Sequence, residues 1–331
     1  MKQDSTNLEL HIQYTLRNDD ITIISCKGYG TEVTLPAYIK GYPVKKIGAY
    51  AFSDPDRAFQ IFKGRTEILE ERITGFKVPG SEKEYIYGQR LQEITLPSGL
   101  EVIDGYAFYN CKELKKINLS GGRIRIENGA FMNCEKLVSI HVKAKPDDIT
   151  GVRGILTELT SELCITFNDK EEKGVFIFPE YYEESVENIS ARVFQYQLHG
   201  AGYRYRQCFD QGRLNITEYD MVFQLEEIQT IHETALNIAF LRLKYPYKLQ
   251  ESMKELYLGY ISKHIEKAIK LMIQQDNTNG LILLTGLGIM SEKIYTEALE
   301  EAVRTGHKEC AGILLKERLL HYPPREKKFE L

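Results

Sequence analysis

A gap-free repeat running from Leu91 to Lys143 constrains this chain more than any other feature. Leu91, Leu114 and Leu137 recur at one constant interval, and Ile94, Ile117 and Ile140 keep the same interval. Ile103/Ile126, Ala107/Ala130, Phe108/Phe131, Asn110/Asn133 and Cys111/Cys134 repeat it once. An earlier copy lies in residues 33–52, where Leu35-Pro36 aligns with Leu96-Pro97, and Ile47 to Phe52 aligns with Ile103 to Phe108. The separation of Ala51 from Ala107 is more than twice the repeat interval. Residues 53–90 are therefore expected to hold one degenerate turn, with Phe76-Lys77-Val78-Pro79 as its strand, and an inserted loop.

A period in the twenties with one short strand per unit reads as a leucine-rich-repeat solenoid, because a lone unit has an apolar edge that only a stacked neighbour buries. Alternation at Ile94/Leu96, Ile117/Leu119 and Ile140/Val142 points these side chains into the coil core. The Ala-Phe segments then form the opposite wall. The remaining strand positions, Glu93 and Thr95, Lys116 and Asn118, and Ser139 and His141, are expected side by side on a concave sheet surface. They are the first candidates for partner contact, against the plainer reading of a solvated sheet face.

The stretch ITLPSGLEVIDGYAFYNCKEL resembles the BspA-like leucine-rich repeat, with its Ile-x-Leu-Pro strand and Ala-Phe-x-x-Cys turn; the resemblance covers about residues 10–145. It implies adhesion or ligand binding, since many relatives are secreted or surface-attached. Cys111 and Cys134 match the repeating cysteine of that pattern, and on adjacent coils they would lie about 4.8 Å apart. A buried thiol ladder is expected there rather than a disulfide.

Past residue 146 the register is lost. Strand-like runs at Leu163–Phe167 and Val175–Phe178, joined by the charged stretch 168–174, predict a hairpin covering the last coil. Residues 181–193 alternate acidic and apolar groups at roughly helical spacing. Beyond them Tyr203, Arg204, Tyr205 and Arg206 form the densest cluster of aromatics and arginines, a secondary candidate for an anion or peptide patch, or else a hinge stitched by Tyr–Arg stacking.

From Ile228 the period becomes helical. Two units, residues 253–274 and 296–317, share a helix–turn–helix pattern that aligns His264 with His307. The second resembles an ankyrin repeat through Ala298-Leu299, Ala302, Gly306-His307 and Leu314-Leu315, which implies that His307 fixes loop geometry. A degenerate helix is expected at residues 233–243. The fold class is thus an α+β repeat protein: a capped leucine-rich-repeat solenoid of short parallel strands over 1–160, an α/β connecting segment over 161–225, an all-α ankyrin-like helical domain over 226–320 and a charged tail over 321–331.

Composition excludes several functions. A net charge of -4, from 43 basic and 47 acidic side chains, gives no excess favouring nucleic acid or an anionic membrane. The first 25 residues carry charges throughout and show no secretory signal, and the apolar run 281–290 is too short to cross a bilayer. Six dispersed cysteines without a CxxC suit a reducing cytoplasm and give no metal-ligand spacing. No GK[ST] follows the glycines of 284–293, and HExxH and GxSxG are missing. Cys208, near Arg206, is the best nucleophile candidate but lacks an assignable histidine. The expectation is a cytoplasmic, non-catalytic scaffold that binds another protein or peptide and uses no cofactor and no metal. The alternatives are an enzyme or its regulatory subunit with a cryptic site near His199–Asp210, and a surface adhesin exported by an unrecognised route.

Overall fold

The structure, a computed structural model, describes residues 9–73, 83–170, 172–188, 193–230 and 232–323. The chain falls into two compact units, Met1–Ile228 and Gln229–Leu331.

The first unit opens with a hairpin of β1 (Leu10–Arg17) and β2 (Asp20–Gly28), turned at Asn18 and Asp19, both in the left-handed region. The short strand β3 (Glu32–Thr34) starts the first coil, followed by β4 (Tyr38–Ile39) and β5 (Tyr42–Ile47). β2 pairs parallel with β5, so the hairpin continues the sheet that the coils build and closes its end. An excursion then leaves the coil. Helix α1 (Pro55–Phe62) starts at Asp54, whose carboxylate accepts from the Arg57 amide, with Pro55 at its first position. β6 (Leu69–Ile73) adds to the outer edge of β1, and β7 (Glu84–Tyr85) pairs with β2.

The regular coils follow as β8 (Glu93–Thr95), β9 (Val102–Ile103), β10 (Lys116–Ser120), β11 (Arg125–Ile126) and β12 (Ser139–Lys143). Each coil has three walls. One is the sheet β3–β8–β10–β12, in which Ile94, Ile117 and Ile140 are in register and fully buried. The second is β2–β5–β9–β11, with Ile23, Ile47, Ile103 and Ile126 in line. The third is the Ala-Phe turn. There Phe52, Phe108 and Phe131 stack with centroids 5.1 and 4.9 Å apart, close to the roughly 4.8 Å strand spacing. The Cys111 and Cys134 thiols stay reduced and donate to the Phe52 and Phe108 carbonyls at 3.1 and 3.2 Å. Asn110 and Asn133 take the left-handed backbone that asparagine tolerates, and the Asn133 amide donates to the Asn110 side-chain oxygen at 2.8 Å.

The extra turn expected within 53–90 is overturned. The Phe52 amide donates to the Ala107 carbonyl at 2.8 Å, and β3 pairs directly with β8, so these coils are immediate neighbours. The interval from Ala51 to Ala107 is one coil plus the excursion, not two coils. The Phe76–Pro79 strand expected there lies outside the described residues.

After β12, helix α2 (Val152–Thr157) replaces the Ala-Phe turn, and the hairpin of β13 (Leu163–Asn168) and β14 (Lys173–Phe178) extends the sheet, β13 parallel to β12. β14 ends the sheet, and the Tyr219 hydroxyl satisfies that edge by accepting from the Ile177 amide at 3.0 Å and donating to the Ile177 carbonyl at 2.7 Å. Residues 181–193, expected helical, instead give β15 (Tyr182–Asn188), paired along its length with β16 (Val193–His199). The β-forming run from Val193 offers a partner, and such pairing outweighs the local spacing. α3 (Gly202–Arg206), the ribbon β17 (Phe209–Asp210) and β18 (Arg213–Leu214), and α4 (Ile216–Val222) belong to the same compact unit as the coils. α5 (Glu226–Thr230) carries the chain onward.

The second unit is helical: α6 (His232–Lys244), α7 (Glu251–Lys263), α8 (Ile265–Gln274), α9 (Thr278–Gly286), α10 (Glu292–Thr305) and α11 (Lys308–His321). Ser291 and Asn277 cap α10 and α9 through their side chains, and Gly306 turns α10 into α11 with φ 81°. His307 lies 3.3 Å from the Asp276 carboxylate, so its ring ties the turn to the loop before α9. α9 takes in the first part of the apolar run 281–290, and Leu281 and Leu284 are buried.

Two stability outcomes follow from this packing. Phe108→Ala removes the middle ring of the stack and is expected to cost about 3–5 kcal/mol in urea unfolding. At the capping end, the buried Glu9 carboxylate bonds Lys83 and also accepts from Arg72 at 2.9 and 2.5 Å. The Lys83 hydrogen bond, opposed by burial and aided by Arg72, holds its pKa at about 2. A folded-state pKa below the unfolded value adds stability that is complete above about 4.5 and fades as pH falls toward about 2. In Glu9→Gln the acid limb of a stability-against-pH curve should flatten across that window.

Candidate functional site

Strand alternation sends every second side chain of the parallel sheet outward, and parallel pairing in register sets those side chains in rows across it. One row runs Glu32, Glu93, Lys116, Ser139 and Cys164; the next runs Thr34, Thr95, Asn118, His141 and Thr166. All six residues singled out from the sequence, Glu93, Thr95, Lys116, Asn118, Ser139 and His141, therefore share one face. His141 is exposed and the others are half-buried.

The middle of the face is a connected polar network. Lys116 Nζ lies 2.8 Å from Glu93 Oε1, and Asn118 Nδ2 donates to the same oxygen at 2.8 Å and to Thr95 Oγ1 at 3.0 Å. Burial works to raise the Glu93 pKa, but hydrogen bonds from Lys116 and Asn118 outweigh it and hold the carboxyl below its ordinary value. For His141, burial and then the Lys116 charge push the imidazole below its ordinary value, with Glu93 pulling the other way. The face thus presents an anchored carboxylate, an ammonium, an amide and, near neutral pH, an uncharged imidazole. These groups suit recognition by hydrogen bonding.

Sequence reasoning misses both flanks of the face. Glu32 and Thr34 follow from extending the Leu35-Pro36/Leu96-Pro97 alignment back along the chain. Cys164 and Thr166 stand slightly further from Ser139 and His141 than the repeat interval allows, so a search at fixed period skips them. The alternation of buried Leu163, Ile165 and Phe167 carries the signal there.

The secondary patch does not form one surface. In α3 the chain presents Gly202, Tyr205 and Arg206 inward and leaves Arg204 exposed, with Tyr203 half-buried. Tyr205 is fully buried against Tyr219, with ring centroids 4.7 Å apart. Arg206 donates to the carbonyls of Leu159, Pro179, Gly202 and Ser161, at 3.1, 2.5, 3.0 and 2.7 Å. Its guanidinium also sits over the Tyr181 ring at 4.9 Å. Buried backbone carbonyls need donors, and one inward-turned guanidinium serves four of them here. A side chain on Gly202 would collide with the Pro179 carbonyl, so this close approach requires glycine. Burial pushes the Cys208 thiol up to about 12, away from nucleophilic chemistry.

Residues 81–152 match the family described as BspA type leucine rich repeat region, in six copies. That region holds the strands carrying all six candidate residues. No curated protein matches the chain. Among solved structures, a leucine rich cell surface protein from Faecalibacterium prausnitzii A2-165 is 23% identical, covering 43% of this chain and 32% of its own, with a TM-score of 0.26. The leucine rich repeat protein of T. pallidum is 22% identical, covering 39% of this chain and 68% of its own, with a TM-score of 0.23. The match therefore spans about a third of the first protein's length. Leucine-rich repeats generally mediate protein or surface interactions.

The network makes a titration prediction. In Lys116→Met the His141 midpoint, followed by NMR of the imidazole protons, should rise, because the cation that lowers it is gone and the opposing Glu93 is unpaired.

Proposed function

We propose that the chain is a non-catalytic cytoplasmic scaffold that binds another protein or peptide on the outward face of β8, β10 and β12. The observation that carries the reading is the alignment of Glu93, Lys116 and Ser139 beside Thr95, Asn118 and His141 in two rows of mixed polar groups, within the region matching BspA type repeats. Such rows give an extended, directional surface of the kind that solenoids use for recognition. Six unpaired cysteines suit a reducing compartment. The helical unit supplies a second module, read as ankyrin-like hairpins from α10, Gly306, His307 and α11. The burial that raises the Cys208 thiol pKa and the commitment of Arg206 to backbone carbonyls weigh against a cryptic site near His199–Asp210.

Affinity purification of the tagged chain from its native cells, with mass spectrometry, tests the reading. A stoichiometric protein should copurify, and Glu93→Lys with Lys116→Glu and His141→Asp should release it while leaving the melting temperature within a few degrees. A partner retained by this triple variant, or recovery of the chain alone, overturns the assignment of this face.

A further inference from the structure

The excursion over residues 53–73 does more than interrupt the repeat: it roofs a cavity against the other sheet. The floor is a second row in register, Thr15, Thr22, Lys46 and Val102, contributed by four adjacent strands. Above it stand the end of α1 and the turn that follows, with Phe62, Arg65 and Thr66. Gly48 allows this approach, since a Cβ there would meet the Phe62 ring at 3.1 Å and the Ile23 carbonyl at 2.9 Å. The cavity, partly open to solvent, has a volume of about 420 Å³, inside the roughly 300–1,000 Å³ of small-molecule pockets.

Its charges are unevenly satisfied. Lys45 is paired with Glu101 at 2.6 Å and Lys46 with Asp104 at 2.7 Å. Arg17 and Arg65 also line the cavity, and among the described residues neither guanidinium has an ion pair or hydrogen bond. Asp20 faces Arg17 across the hairpin end without an ion pair between them. Thr66 has a buried hydroxyl with no hydrogen-bond partner among the described residues. Two guanidiniums lining one cavity, without a partner among the described residues, suit a planar or tetrahedral oxyanion that a guanidinium can hold by two hydrogen bonds. Threonine hydroxyls and the Asp20 carboxylate offer partners for ligand hydroxyls, while Phe62, Ile61 and Val102 offer an apolar surface for a ring face. Inorganic phosphate alone would leave most of this volume unfilled, and the lining carboxylates Asp20 and Glu101 oppose a polyanion.

We propose that this cavity binds a small phosphorylated polyol of about the size of a hexose phosphate. The site is independent of the strand face described above, and its test leaves that face untouched. The full chain is titrated calorimetrically with glucose 6-phosphate, glucose and inorganic phosphate, at low and moderate salt. Glucose 6-phosphate should bind, with the other two weaker by roughly tenfold or more. Arg17→Met with Arg65→Met should weaken it by a similar factor; both arginines are exposed, and circular dichroism verifies that the variant is folded. Thr66→Val, which leaves every cation in place, should weaken binding to a lesser degree. The proposal is overturned if glucose 6-phosphate gives no saturable heat, if inorganic phosphate binds equally well, or if the folded double variant binds it unchanged.

Discussion

The stack of Phe52, Phe108 and Phe131 at close to strand spacing is the constraint on which the solenoid depends. Rings in parallel contact at 5.1 and 4.9 Å fix both the distance and the register of successive coils. The thiols and asparagines beside them bond to the neighbouring coil, so they hold the same register by directional contacts. Once the Ala-Phe wall is in register, the other two walls must be as well in the coils from β8 onward, since each of these is closed by a short run of chain. The rows of polar side chains on the sheet are therefore a geometric consequence of packing on the opposite wall.

A structure that grows by stacking exposes an apolar end and an unpaired strand edge at each terminus, and this chain treats the two ends differently. At the start, the β1–β2 hairpin continues the β5 sheet, β6 covers β1, and Glu9 is held among Arg72 and Lys83. At the other end, β14 runs antiparallel and its outward backbone groups at Ile177 are taken up by one tyrosine hydroxyl. Buried Phe176 and Phe178 pack around Tyr219, so the polar cap sits inside an aromatic cluster that excludes water.

The repeated part of the fold is legible because each coil meets the same environment, so Leu91, Ile94 and Phe108 recur as residues and not merely as hydrophobic positions. The six face residues follow from that regularity and from strand alternation. The parts that are not legible rest on contacts between segments far apart in sequence. The excursion reads as a coil because the interval from Ala51 to Ala107 happens to exceed two repeats, and the pairings of β6 with β1 and of β7 with β2 show where that chain goes. Arg206 looks like a surface cation because its carbonyl partners lie at Leu159, Ser161, Pro179 and Gly202, and no local pattern announces that a backbone needs capping. The segment after Tyr181 carries helix-like spacing, yet strand pairing with 193–199 decides its conformation.

The polar face adds little to folding, and that bears on what it is for. Lys116 and Glu93 are about a third exposed, and ion pairs in such a setting contribute about 0–1 kcal/mol. Glu32 and Glu93 stand directly opposite one another across parallel strands, where like charges repel, and Lys116 lies on the far side of Glu93. A face arranged this way is poorly explained as a stabilising element. Its groups are nevertheless held in fixed positions, because Asn118 bridges Glu93 and Thr95 and so ties the two rows together. Fixed donors and acceptors lose little conformational entropy when a partner binds. Under the proposed reading, the stability supplied by the buried aromatic wall is what allows the exposed wall to carry a pattern suited to recognition instead of to folding.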